Sequence, residues 1–96
     1  GRGQLNATAT RGRGVCLPDP QVTVRFRQGG ERFHPQGRQG SHPLKKCFQE
    51  WRIPPWRRGS IPLIYYHDDL VAVVGYGYSE RYRTLPDQMG FIFSQL

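Results

Sequence analysis

No stretch of this 96-residue chain approaches the ~20 consecutive apolar residues of a membrane-crossing helix, so no membrane partner is expected. Cysteine is scarce too. Cys16 and Cys47 have no metal-ligand spacing, either with each other or with His34, His42 and His67, so no metal site is expected. No secretory leader opens the chain, and nothing else points to secretion or favours a disulfide between them. Both thiols read as small buried apolar groups. Hydrophobic residues make up only 36% of the chain, diluted by 12 glycines and eight prolines. That leaves one small, loop-rich domain whose core must rest on a few large side chains. Five Phe, five Tyr and two Trp can supply it, each burying far more area than an Ala or Val.

Catalytic patterns are missing as well. Gly75-Tyr76-Gly77 lacks the third glycine and the following helix of a dinucleotide-binding turn, and reads as a strand end or bulge. No Gly-Lys-Ser/Thr phosphate loop occurs. Asp68 and Asp69 are adjacent, so a turn would point them apart. Ser79 sits in no Gly-x-Ser-x-Gly elbow. No catalytic residue is assigned and no cofactor is expected in this domain.

What the chain does have is positive charge, unevenly placed. The net charge is +7. Twelve of the 14 cations lie in residues 1–60, against Asp19, Glu31 and Glu50. The remainder holds Arg81 and Arg83 against four acids. Such segregation favours a polyanionic partner over a generally basic surface. All the cations but Lys45 and Lys46 are Arg, whose planar donor fork fits phosphate.

Local patterns place these cations. Leu5, Ala7 and Ala9 alternate with polar residues, and Arg11-Gly12-Arg13-Gly14 would turn this strand back into Val15–Leu17 as a hairpin. The rival reading is an Arg-Gly tail, and residues 1–19 form a hairpin or a partly ordered lead-in. Val22, Val24 and Phe26 alternate with Thr23, Arg25 and Arg27, which predicts a half-buried strand with one basic face. Residues 31–42 read as an ordered loop. Leu44, Cys47, Phe48 and Trp51 fall on one face of a helix, with Pro43 in its first turn, Ser41 or His42 as cap, and Lys45, Lys46, Gln49 and Glu50 facing out. Ile53-Pro54-Pro55 ends it, and Trp56-Arg57-Arg58-Gly59 makes a further turn. Trp51 and Trp56 could in principle stack on bases, but Trp51 falls on the helix's core face and is expected there. Trp56 is more open, though the core is its expected place too. Residues 61–75 predict a buried hairpin around His67-Asp68-Asp69, and Phe91–Phe93 a last strand. The fold expected is α+β, a small mixed or antiparallel sheet of about five strands with one main helix packed on it.

The candidate binding residues are Arg25 and Arg27 on the strand, Arg32 and Arg38 in the loop, Lys45 and Lys46 on the helix, and Arg57 and Arg58 after it. Gly37 and Gly40 would let backbone approach a phosphate closely, and amides at the helix start would add donors. Glu31 and Glu50 are too few to neutralise eight cations. Nucleic acid is the favoured partner. The alternative is a basic interaction module docking on acidic proteins or on other domains of a parent enzyme.

Gly37-Arg38, Leu44-Lys45-Lys46-Cys47-Phe48-Gln49-Glu50, Ile53-Pro54-Pro55-Trp56-Arg57 and Ile61-Pro62-Leu63-Ile64-Tyr65 together resemble the C-terminal domain of bacterial tRNA(Ile)-lysidine synthetases. Val22–Arg27 resembles that family's opening strand. The likeness runs from about residue 20 to 78, and residues beyond Ser79 match nothing recognised. Cys47 stands where a larger aliphatic residue is expected. The resemblance implies that residues 20–96 are the C-terminal tRNA-binding domain of a longer cytoplasmic enzyme, an expectation that a first residue of Gly rather than Met also supports. It implies that the parent attaches lysine to the wobble cytidine of tRNA(Ile), using ATP bound in an N-terminal domain whose Ser-Gly-Gly-x-Asp-Ser loop this chain lacks. It further implies that this domain grips the tRNA(Ile) acceptor stem, with the Gly37-Arg38 loop, Lys45, Lys46 and Arg57 as stem contacts. A-form RNA would be met through phosphate, 2′-hydroxyl and shape.

Overall fold

The computed structural model describes residues 5–19 and 21–95. Within them, eight strands and two short helices follow in the order β1 (Leu5–Arg11), β2 (Thr23–Arg25), β3 (Arg32–Phe33), β4 (His42–Pro43), α1 (Leu44–Glu50), α2 (Pro55–Arg58), β5 (Leu63–Tyr66), β6 (Asp69–Val73), β7 (Gly77–Tyr78) and β8 (Met89–Gln95). All pairings between these strands are antiparallel. They form a four-stranded sheet β2-β5-β6-β7 and two ribbons, β1-β8 and β3-β4. The α+β class holds, with more and shorter strands than expected and little helix.

The central hairpin β5-β6 organises the core. Leu63, Ile64, Val71, Ala72 and Val73 are all fully buried, as a short apolar run bounded by turn residues should be. His67 turns the chain between them at φ 55°, which brings Tyr66 opposite Asp69. The pleat then divides the side chains between the two faces. Ile64, Tyr66, Ala72 and Val74 pack with Val15, Leu17 and Phe93. Leu63 and Val73 pack with Phe33, Leu44, Cys47, Phe48, Ile53 and Ile61. The sheet is thus covered by the β1-β8 ribbon on one side and by α1 with the β3-β4 ribbon on the other.

The helix keeps its expected register. Leu44, Cys47 and Phe48 are buried, and Lys45, Lys46, Gln49 and Glu50 are exposed. Its start differs from expectation. Pro43 is itself the cap residue, with extended backbone and no side-chain cap, because His42 and Pro43 are already paired in a strand with Phe33 and Arg32. The Leu44 N–H donates to the Glu31 carbonyl, so that amide is not available to a ligand. Residues 31–42 are therefore a small hairpin rather than a loop. At the other end Arg52 adopts φ 58°. Its N–H donates to the Gln49 carbonyl and that of Ile53 to the Phe48 carbonyl, the paired bonds of a Schellman cap with Arg where Gly is usual. Pro54 and Pro55 then begin α2.

Two strands part from expectation. The strand at Leu5–Arg11 forms, but it pairs with β8, Ala7 opposite Phe93, and not with Val15–Leu17. Val15 bridges Arg83 and Phe91 instead. Gly14 makes this possible. At φ +74° a Cβ there would stand 1.9 Å from the Phe91 carbonyl oxygen. β2 is an edge strand with no buried face, and Val24 and Phe26 are 40% and 50% exposed. Alternation implied a covered side, and Val22 does pack against the Val15 cluster, but β2 pairs only with β5, and no buried cluster includes Val24 or Phe26. Both cysteines are free thiols, Cys16 half-buried and Cys47 buried. Burial pushes the Cys47 thiol above its ordinary range, and Glu50 adds to this.

Candidate nucleic-acid interface

The turn Gln28–Gly30 gathers cations from four parts of the chain. Arg27, Arg32 and Lys45 line an open groove with Gly30, Glu31 and Pro43. Arg27 also borders a second opening with Gly29, Pro55 and Arg58. Against two of these arginines lies Phe48, fully buried. The guanidinium carbons of Arg27 and Arg58 sit 5.5 and 5.8 Å from its ring centre, within cation–π range. A residue of the helix's apolar face thus also seats two of the basic side's cations.

Glu31 lies in this groove but is otherwise engaged. Its carboxylate accepts the N–H groups of Gln28 and Gly29 at 2.7 and 3.0 Å. Burial pushes its pKa up, but these two amides and the charge of Arg27 outweigh that and hold it below the usual carboxylate value. Arg32 is braced by Ser41, donating from Nε to Oγ at 3.2 Å and from its terminal nitrogen to the carbonyl at 2.9 Å. Arg25 lies on the exposed edge strand with its guanidinium 4.6 Å from the Tyr65 ring centre.

The remaining candidates fall into two groups. Lys45, Lys46 and Arg57 are exposed. Arg38 and Arg58 are occupied by intramolecular contacts. Arg38 forms a two-pronged ion pair with Glu50 and borders a separate cleft with Trp51 and Tyr76. Its guanidinium holds the Glu50 carboxyl below its ordinary value. Arg58 is 9% exposed, and its Nε donates to the Ile53 carbonyl at 2.9 Å, which ties α2 back onto the end of α1. Gly37 and Gly40 have φ of 85° and 75° with open space at their α-carbons. The Gly37 amide, however, donates to Glu80. Among the described residues, Arg38 is the one member of the eight cations with a carboxylate partner.

One residue of this side escaped the sequence reading and another is misplaced by it. Arg52, in the Schellman cap, is exposed. Trp56 is 83% exposed, not in the core. A signal for the latter was present. Positions three and four beyond Trp56 are Gly59 and Ser60, so no apolar face continues from it. Trp51, by contrast, packs as expected, edge-on to Phe33 at 6.3 Å and stacked on Tyr76 at 5.7 Å.

A family model described as the TilS substrate C-terminal domain matches residues 22–93. The chain belongs to this family. The match runs well past Ser79, where the recognisable motifs end, and includes most of β8. It covers the eight candidate cations and Arg52. Among curated relatives, the chain is 46% identical over 91 residues to the tRNA(Ile)-lysidine synthase of Coxiella burnetii, covering 93% of this chain and 20% of the relative. It is 49% identical over 73 residues to that of Legionella pneumophila strain Paris, covering 75% of this chain and 16% of the relative. With that of Shewanella woodyi the identity is 41% over 86 residues, 86% of this chain and 18% of the relative. The chain thus spans about a fifth of the length of the relatives it matches.

Proposed function

We propose that this domain is a non-catalytic RNA grip within a tRNA(Ile)-lysidine synthase, holding the acceptor stem of tRNA(Ile) while another part of the enzyme performs the ATP-dependent transfer of lysine in the cytoplasm. The observation that carries the reading is the unneutralised cluster around the Gln28–Gly30 turn. Arg27, Arg32 and Lys45 share one groove, and its single acid is engaged by backbone amides. Exposed Lys46, Arg57 and Arg25 extend this basic side. Phosphates of an A-form stem supply the complementary charge, and such a stem is held by phosphate, 2′-hydroxyl and shape contacts more than by base edges. Arg58 positions α2 and contributes its charge from beneath. Arg38 reaches a phosphate only by leaving Glu50.

Binding of this kind is steeply salt-dependent, because each neutralised phosphate releases counterions. The test is a titration with tRNA(Ile) and tRNA(Met) at several salt concentrations, for the wild type and for the double variant Lys45→Ala, Lys46→Ala. The wild type should bind tRNA(Ile) with a steep slope. The double variant should bind more weakly, with the slope reduced by about 2, one for each lysine that no longer meets a phosphate. Preference for tRNA(Ile) would give the domain a part in selection, and equal binding would make it a general tRNA grip. An unchanged slope in the double variant would overturn the reading.

A further inference from the structure

Trp56 is left unexplained by a surface that grips only phosphates. It is 83% exposed, and holding an indole in water forgoes a large burial energy. It is also held firmly. Pro54 and Pro55 fix the backbone entering α2. Just beyond it, the Arg58 side chain bonds back to the Ile53 carbonyl, closing residues 53–58 into a braced loop. The exposed Arg57 follows it directly, and the exposed Arg52 precedes it by four residues. Neither has a carboxylate partner among the described residues.

We infer that Trp56 is a stacking platform for an unpaired base of the bound RNA, at the single-stranded end that adjoins a tRNA acceptor stem. The inference rests on the RNA-grip reading and deepens it. A planar π-face on a rigid mount, flanked by cations, matches a nucleobase with its neighbouring phosphates. The same flanking charge would be poorly matched to an apolar protein surface, whose interface cores are depleted of charged residues. Bases inside a stem are stacked on each other, so only an unpaired end offers a free face.

The experiment compares the wild type with Trp56→Ala and Trp56→Phe in the 96-residue chain, against tRNA(Ile) with its single-stranded end intact and against the same tRNA trimmed to a blunt stem. Thermal melts establish that an exposed side chain has been removed without unfolding. Trp56→Ala should weaken binding to intact tRNA roughly five- to hundredfold, the range of a lost base-on-aromatic stack. Trp56→Phe should restore most of it. On trimmed tRNA the wild type and Trp56→Ala should bind alike. Intact tRNA should also quench the wild-type tryptophan fluorescence, and Trp56→Phe should abolish that quenching. Salt-dependent binding that is indifferent to Trp56→Ala, or weakened equally on intact and trimmed tRNA, overturns the platform and leaves the grip standing. No binding of tRNA by the wild type at low salt overturns both.

Discussion

Past the central hairpin each cation of the chain has its own acid, Arg81 facing Asp69 at 3.4 Å and Arg83 facing Glu80 at 3.6 Å. On the helix side, among the described residues, only Arg38 does of the nine cations from Arg25 to Arg58. The two regions belong to one small domain and are made of similar residues, so the difference lies in placement. A chain that carried charge for solubility alone would gain nothing by gathering unpaired arginines around one groove, where they repel one another. The unpaired side also has an apolar base, since Phe48 belongs to the α1-side core and lies against two of its guanidiniums. Fold stability and the seating of two cations therefore depend on one fully buried side chain there, whereas Arg81 lies over Tyr82, which is only half-buried.

Removing Phe48 should damage the comparison most. Phe48→Ala empties a fully buried site and is expected to cost about 3–5 kcal/mol, a large part of a typical domain's total. Denaturant unfolding checks it. A loss under about 1 kcal/mol, well below the usual range for such a truncation, would show that the basic side does not depend on this side chain. Next in size is Arg58→Ala, which orphans the Ile53 carbonyl and strips packing from Phe48. It should cost about 1–3 kcal/mol, while Arg57→Ala, one residue earlier and exposed, should stay within about 0.5 kcal/mol. Equal losses in the two variants would erase the distinction between a cation that builds the surface and one that only decorates it.

That distinction shows where sequence reading succeeds and where it stops. The periodicity of Leu44, Cys47 and Phe48 located the helix and its outward lysines, because 3.6-residue spacing is a local property. The apolar run of 61–74 located the central hairpin for the same reason. The partner of β1 was not legible. Which strand Leu5–Arg11 meets depends on closure between opposite ends of the chain, and the turn residues after it pointed to the nearer partner. Alternation in Val22–Phe26 was real, yet it cannot say how far a covering layer extends, and here it reaches Val22 but leaves Val24 and Phe26 exposed. Arg57 and Arg58 are neighbours of one type, and only the fold, through the Ile53 carbonyl, separates their roles.

The smallest effects belong to exchanging one carboxylate on each side. Glu50→Gln releases Arg38, and Asp69→Asn neutralises the partner of Arg81 while leaving the Tyr82 hydroxyl a neighbour to bond. Each variant raises the net charge by one. If placement governs, Glu50→Gln should tighten tRNA binding a few-fold at low salt and steepen the salt slope by about 1, and Asp69→Asn should leave both nearly unchanged. Equal tightening would mean that net charge, and not the groove, does the attracting. Stability gives an independent check on the Glu50 pair. The hydrogen bonds from Arg38, together with its charge, hold the Glu50 carboxyl below its ordinary value. A group depressed on folding contributes stability above its unfolded value and loses it as pH falls through the folded one. Wild type should therefore lose more unfolding free energy than Glu50→Gln between about pH 6 and about pH 3, by a small margin because the pair is exposed and screened. Parallel curves would mean that the pair forms too weakly to hold Arg38, which would then already be free to join the other eight cations.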